Sequence, residues 1–162
     1  MSDEIKKNLE QRVKKHFSDS IETKQKAAET MSEDIVRAIN LMHQALASEK
    51  KILACGNGGS AADSQHLAAE LIGRYKLERK AISTIALTTD TSILTAISND
   101  FGFEFVFSRQ LEGLAREGDV LIALTTSGNS QSILSAVKKA KELNLSTVVF
   151  TSIRYTGNQG DF

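Results

Sequence analysis

Lys51-Ile52-Leu53-Ala54, followed at once by Cys55-Gly56-Asn57-Gly58-Gly59-Ser60, decides how this chain folds. The apolar run lacks polar alternation, so it reads as a strand buried on both faces. The Gly/Asn/Ser turn after it leads into a helical pattern. The same layout recurs at Val120-Leu121-Ile122-Ala123-Leu124, followed by Thr125-Thr126-Ser127-Gly128-Asn129-Ser130. A strand, a glycine-rich turn and a helix start make a loop that binds anions. Glycines let backbone N–H groups turn inward, hydroxyls donate, and the helix N-terminus adds partial positive charge. Two such loops in one α/β domain point to one ligand gripped at two places, a phosphorylated small molecule.

Outward from these stretches the pattern alternates. Strands are expected near 51–55, 82–88, 119–125 and 146–151, and helices near 60–74, 91–98, 103–116 and 131–143. Gly118 and Asn144 sit where helix C-caps belong. Continuous apolar strands separated by helices imply an α/β fold with a parallel sheet covered on both faces. Ligands in such sheets bind beyond the carboxyl ends of the strands. Both glycine loops fall on that edge, as does Thr88-Thr89-Asp90.

Two helices are expected ahead of this core. The first covers about 3–30, with Ile5, Leu9, Val13, Phe17 and Ile21 every four residues. A strict spacing of four winds around a helix. The second covers about 32–48, with Ser32 as N-cap and Ile35, Ile39, Met42 and Leu46 on one face. The first helix is longer than one small sheet needs for cover, which favours burial against another subunit. The organisation expected is residues 1–48 for association and 49–162 as the α/β domain.

The chain has 162 residues, 41% of them hydrophobic, enough for one domain with a real core. Lys+Arg and Asp+Glu each number 20, so the net charge is zero and no basic block argues for nucleic acid. The start, Met-Ser-Asp-Glu-Ile-Lys, carries no apolar signal, and no apolar run approaches ~20 residues, so no membrane association is expected. A single cysteine excludes an internal disulfide framework, and a cytoplasmic setting is expected. Proline is absent, leaving Gly, Asn, Asp and Ser to make the turns.

Ser60-Ala-Ala-Asp63 resembles a capping box at the start of the helix near 60–74, with Gly58 and Gly59 still free to offer N–H groups. On that helix His66 and Glu70 are four apart and share a face. The pair can be a surface contact, or it can serve one metal or one substrate, since the helix begins at the anion loop. Glu70 lies in Leu-Ala-Ala-Glu-Leu-Ile-Gly, where a carboxylate needs a partner or a raised pKa; both suit a general base. Asn99 and Asp100 lie between two helical patterns, where Asp100 can cap or both can bond sugar hydroxyls. Cys55 ends a strand and reads as packed core, and His16 and His43 as structural or exposed.

These motifs together resemble a known family. Cys-Gly-Asn-Gly-Gly-Ser, His66 with Ala69-Glu70-Leu71 leading to Gly73-Arg74-Tyr75, Asn99-Asp100-Phe101-Gly102, Arg116-Glu-Gly-Asp-Val and Thr126-Ser-Gly-Asn-Ser look like the bacterial phosphoheptose isomerases of the sugar isomerase (SIS) domain superfamily. The similarity covers about 1–150 in family order and spacing. It implies a three-layer αβα sandwich with flavodoxin-like winding, in a cytoplasmic homotetramer with the leading helices at its centre. The implied reaction converts sedoheptulose 7-phosphate to D-glycero-D-manno-heptose 7-phosphate for lipopolysaccharide-core heptose, by proton transfer through an enediol. Thr125, Thr126, Ser127 and Ser130 would hold the phosphate, while Asn57, Gly58, Gly59, Ser60, Asn99 and Asp100 would line the sugar. Glu70 matches the family's catalytic glutamate, and His66 with Glu70 would give two ligands to zinc.

The family pattern continues past Thr151 with a glycine-rich turn, a fifth strand and a long helix bearing a Gln and a His that complete the metal site. Here Ser152-Ile-Arg-Tyr-Thr-Gly-Asn-Gln-Gly-Asp-Phe162 stands in that place, and that helix is absent. Two other functions fit the same fold. Some relatives bind a replication initiator without catalysis, and a sugar-phosphate sensor would keep the phosphate loop and dispense with Glu70.

Overall fold

The computed structural model describes residues 2–152, and divides the chain into two compact units, 1–40 and 41–162. Residues 153–162, which stand where the family pattern places its last strand and helix, lie outside the described residues. In the second unit a four-stranded sheet is formed by β1 (Ile52–Gly56), β2 (Thr84–Ala86), β3 (Val120–Leu124) and β4 (Ser146–Phe150). All pairs are parallel and the order is β2-β1-β3-β4. This is flavodoxin-like winding, in which the order reverses between β1 and β3. The register sets Ile52 beside Val120 and Gly56 beside Leu124, so the two glycine loops leave the sheet side by side.

Successive strand residues point to opposite faces, and the core divides accordingly. Leu53, Cys55, Leu121 and Ala123 face one way and pack with Val106, Phe107, Leu111, Ile133, Ala136 and Val137. Ile52, Ala54, Val120 and Ile122 face the other way, against Leu41, Met42, Ala45, Leu46, Leu67 and Leu71. The layers are therefore α3 (Thr91–Asp100), α4 (Ser108–Leu114) and α5 (Gln131–Glu142) on one face. The other face carries α2 (Gly59–Ile72) and residues 41–46 of α1 (Asp3–Ala47). The expected helix near 103–116 is divided into a 3-10 turn, Phe103–Phe105, and α4. Between them Val106 and Phe107 turn fully inward. The Gln110 amide donates to the Val106 and Leu87 carbonyls at 2.8 and 2.9 Å, tying α4 to the end of β2.

The two leading helices expected near 3–30 and 32–48 are one helix of 45 residues. Ser32 is not an N-cap; its hydroxyl donates back to the Ala28 carbonyl, as an interior helical serine does. The reason is visible in the chain: no proline occurs and no glycine precedes Gly56, so no breaker divides the stretch between 3 and 47. Asn144 behaves as expected, at φ 58° just past α5. Leu145 N–H bonds the Ala140 carbonyl and Asn144 N–H the Lys141 carbonyl, the paired closure of a Schellman end. Gly118, also at positive φ, serves as the turn into β3 rather than as a helix cap: it follows Ala115, which ends α4.

Candidate functional site

The site begins at the carboxyl edge of β1 and β3. Gly56 is required there because a Cβ would lie 2.5 Å from the Ser60 carbonyl oxygen, so only glycine lets α2 start so close to the strand. Gly58 takes φ 55° and is itself the N-cap of α2, without a side-chain hydrogen bond. Ser60 therefore does not cap, contrary to the expected capping box. It lies within the first turn, its N–H bonded to the Asn57 carbonyl. The glycine's left-handed conformation moves the helix start two residues earlier than the serine signal implies.

The second loop is shaped from within. Thr125 is buried, and its Oγ1 accepts the Gly128 N–H at 3.1 Å; Gly128 takes φ 70°. Ser127 Oγ accepts the Asn129 N–H at 3.2 Å. Thr126 and Ser127 are exposed, and Ser130 is the N-cap of α5 with no side-chain cap bond. Its hydroxyl turns instead to the first loop: Asn57 Nδ2 donates to Ser130 Oγ and to Ser132 Oγ, both at 2.9 Å. Asn57 thus locks the two loops together. Both helices that start here are uncapped by side chains, whereas α3 is capped by Asp90, which accepts the Ile93 N–H. Uncapped N-termini leave donors for an anion. Thr88 ties the β2 loop to α2 through the Gln65 side chain.

His66 and Glu70 meet as expected, Nε2 to Oε1 at 3.1 Å, with Glu70 half-buried and His66 exposed. They line a hollow of about 520 Å³ with Asp63, Arg74, Lys76 and Arg79. The loop residues do not line it. Glu70 is eleven positions beyond Gly59, about 16 Å of helix rise. The two parts of the expected site are thus apart within one chain. Asn99 and Asp100 close the last turn of α3, bonded to each other at 2.7 Å, about 12–14 Å of helix rise from its start at Thr91. Asp100 caps nothing; Phe101 is the C-cap. His66 and Glu70 are donors of the kind zinc takes, but among the described residues no group of three or more His, Cys, Asp or Glu could hold a metal. Zinc sites take three or four protein ligands, so these two alone do not fit one. Cys55 is core: burial pushes its thiol up to about 12, which removes it as a nucleophile. His16 and His43 are exposed on α1.

The sequence reading gave no role to Ser132 or Arg79 beside the site, nor to Asp119 in the framework of the sheet. Each acts on partners distant in sequence or through backbone groups, and a side-chain pattern carries no signal for that. Asp119 is buried where β3 begins. It accepts from Lys51 N–H at 3.0 Å, Lys51 Nζ at 2.5 Å and Arg116 N–H at 2.7 Å, and so anchors β3 to β1.

Paired glycine and hydroxyl loops at the switch point of a 2-1-3-4 parallel sheet define a doubly wound α/β domain. The SIS domain family model matches residues 15–152. A phosphoheptose isomerase of Neisseria meningitidis serogroup A is 52% identical over 143 residues, which cover 88% of this chain and 73% of that protein. The solved phosphoheptose isomerase of Neisseria gonorrhoeae superposes with a TM-score of 0.83 at 50% identity, over 88% of this chain and 74% of that one. That of Francisella tularensis gives 0.86 at 34% identity, over 90% and 77%. The chain belongs to the phosphoheptose isomerase family of SIS domain proteins.

Proposed function

We propose that the chain interconverts sedoheptulose 7-phosphate and D-glycero-D-manno-heptose 7-phosphate. The observation that carries this reading is the Asn57 bridge to Ser130 and Ser132. It draws two uncapped helix starts and two turns together at one edge of the sheet. The phosphate sits on residues 125–130, offered the Thr126, Ser127 and Ser130 hydroxyls, with Thr125 holding the turn. The sugar chain runs along Asn57, Gly58, Gly59 and Ser60, with Asn99 and Asp100 meeting its hydroxyls. Glu70 removes the proton from carbon 1 of the ketose and returns it to carbon 2 through an enediol. The proton on oxygen 1 moves to oxygen 2, so a ketone and a primary alcohol become an aldehyde and a secondary alcohol. His66 holds the carboxylate in place. The 16 Å between Gly59 and Glu70 supports a homo-oligomer in which one copy's loops meet another copy's hollow, and a tetramer is the assembly proposed.

Zinc stays outside these steps. Stoichiometric zinc in the purified protein would show that His66 and Glu70 are joined by further donors, from a second copy or from outside residues 2–152. A cytoplasmic location and a role in lipopolysaccharide-core heptose synthesis belong to the same proposal; among the described residues no helix is long and apolar enough to cross a membrane. The test is to incubate purified protein with sedoheptulose 7-phosphate, with and without zinc, and to look for the aldose. Tight binding without any product under either condition favours a sensor or binding protein.

A further inference from the structure

We propose that Arg79 is a positioning residue for Glu70: its guanidinium, bonded to the Glu70 and Leu71 carbonyls, pins the last turn of α2 and sets the Glu70 carboxylate against His66. The proposal rests on the reading of Glu70 as the group that moves the proton. The last four carbonyls of a helix have no partner inside it. At the end of α2, Ala69 is satisfied by the Gly73 N–H at 2.8 Å. Glu70 is satisfied by Arg79 Nη2 at 2.7 Å, and Leu71 by Arg79 Nη1 at 2.8 Å together with the Ile82 N–H at 3.0 Å. The same Nη1 reaches the Lys80 carbonyl at 3.0 Å and the Gly73 carbonyl at 3.4 Å. Gly73 closes the helix at φ −70° and ψ −124°, without the left-handed turn that satisfies α5. A side chain from beyond the helix therefore does the work of its C-cap. The turn at 74–77, closed by the Leu77 N–H on the Arg74 carbonyl, brings it back.

Glu70 is thus held at both ends, its carbonyl by Arg79 and its carboxylate by His66. A planar guanidinium fork holds two carbonyls in one fixed geometry, which the rotatable donors of an ammonium do not impose. Proton transfer requires the base within a fraction of an ångström of its working place, and small misplacements cost large factors in rate. The two residues line the same hollow, so whatever enters it meets a carboxylate whose backbone is clamped from below.

The test compares Arg79→Met, Arg79→Lys, Glu70→Ala and Glu70→Gln in the whole chain. Circular dichroism and thermal unfolding establish that each is folded, and ring-nitrogen NMR of His66 reads its bond to Glu70. We expect the His66 ring signals of Arg79→Met to move toward those of Glu70→Ala, and those of Arg79→Lys to move less. In turnover, Arg79→Met should lose on the order of 10-fold or more in kcat with KM nearly unchanged. Added to Glu70→Gln, it should cost nothing further, because it acts through the group already removed. Unchanged His66 signals in folded Arg79→Met, or fully additive losses, overturn the proposal. If Arg79→Met does not fold, Arg79→Lys decides by the same signals. Glu70→Gln turning over at the parental rate sinks the reading of Glu70 instead, and the His66 signals still judge the clamp.

Discussion

At the residue scale, the chemistry rests on few groups. Glu70→Gln keeps the shape and removes the base, so turnover should fall on the order of 10²–10⁴-fold while sugar-phosphate binding survives; turnover at the parental rate would move the proton transfer to another group, with Asp100 next in line. Ser127→Ala with Ser130→Ala should weaken sugar-phosphate binding by more than ~1 kcal/mol, the scale of lost charge-assisted bonds. Calorimetry showing full affinity would place the phosphate elsewhere. Asp119 concerns stability. Burial pushes its carboxyl up, but the Lys51 side-chain bond, the Lys51 and Arg116 amides and the Lys51 charge outweigh this and hold it below the ordinary range. A folded pKa below the unfolded one stabilises above the unfolded value, and that stability is lost as pH falls through the folded value. The acid limb of unfolding, below about pH 4, should therefore steepen with Asp119 present and flatten in Asp119→Asn. Asp119→Ala should cost about 3 kcal/mol in denaturant melts, since it strands the Lys51 ammonium and two amides.

At the element scale, caps separate what a pattern reveals from what it hides. The strand runs and the α5 end at Asn144 were legible because short apolar runs and left-handed residues act locally. The helix start at Gly58 was not, because a serine two residues on carries the stronger cap signal while the glycine conformation decides. The end of α1 shows a similar conflict. Lys50 N–H bonds the Ala45 carbonyl and Glu49 N–H the Leu46 carbonyl, a Schellman closure that forces Glu49 to φ 59°. A non-glycine residue there is strained by about 1 kcal/mol. We expect Glu49→Gly to raise the melting temperature slightly, the relief being partly offset by the glycine's freer unfolded chain; a clear fall in the melting temperature would show that the glutamate side chain has a role there.

At the scale of the whole molecule, α1 dominates. Ile5, Leu9, Val13, Phe17, Ile21, Ile35 and Ile39 are 44% to 69% exposed, and no residue of this helix is buried. Isolated helices draw little stability from propensity alone, so this apolar surface needs a partner. Light scattering should give an oligomer at micromolar concentration, and Phe17→Glu with Ile21→Glu should dissociate it. A stable monomer in the parental protein would refute association through α1.

The parallel sheet, its two covered faces, the four strand positions and the two glycine- and hydroxyl-bearing loops were legible from the residues alone. Apolar run length, glycine turns and hydroxyls are local quantities, and local chemistry is enough to set them. That Asn57 joins the loops through Ser130 and Ser132, across 73 and 75 positions, came from the folded chain alone. It alone tied Asp119 to Lys51 across 68 positions and brought Arg79 to the end of α2. It also separated Glu70 from the loops that its helix starts from, because a straight helix carries a residue away at a fixed rise however close it stands in sequence. Pairings across space depend on which strands become neighbours and where each helix stops. No single stretch of residues contains that information.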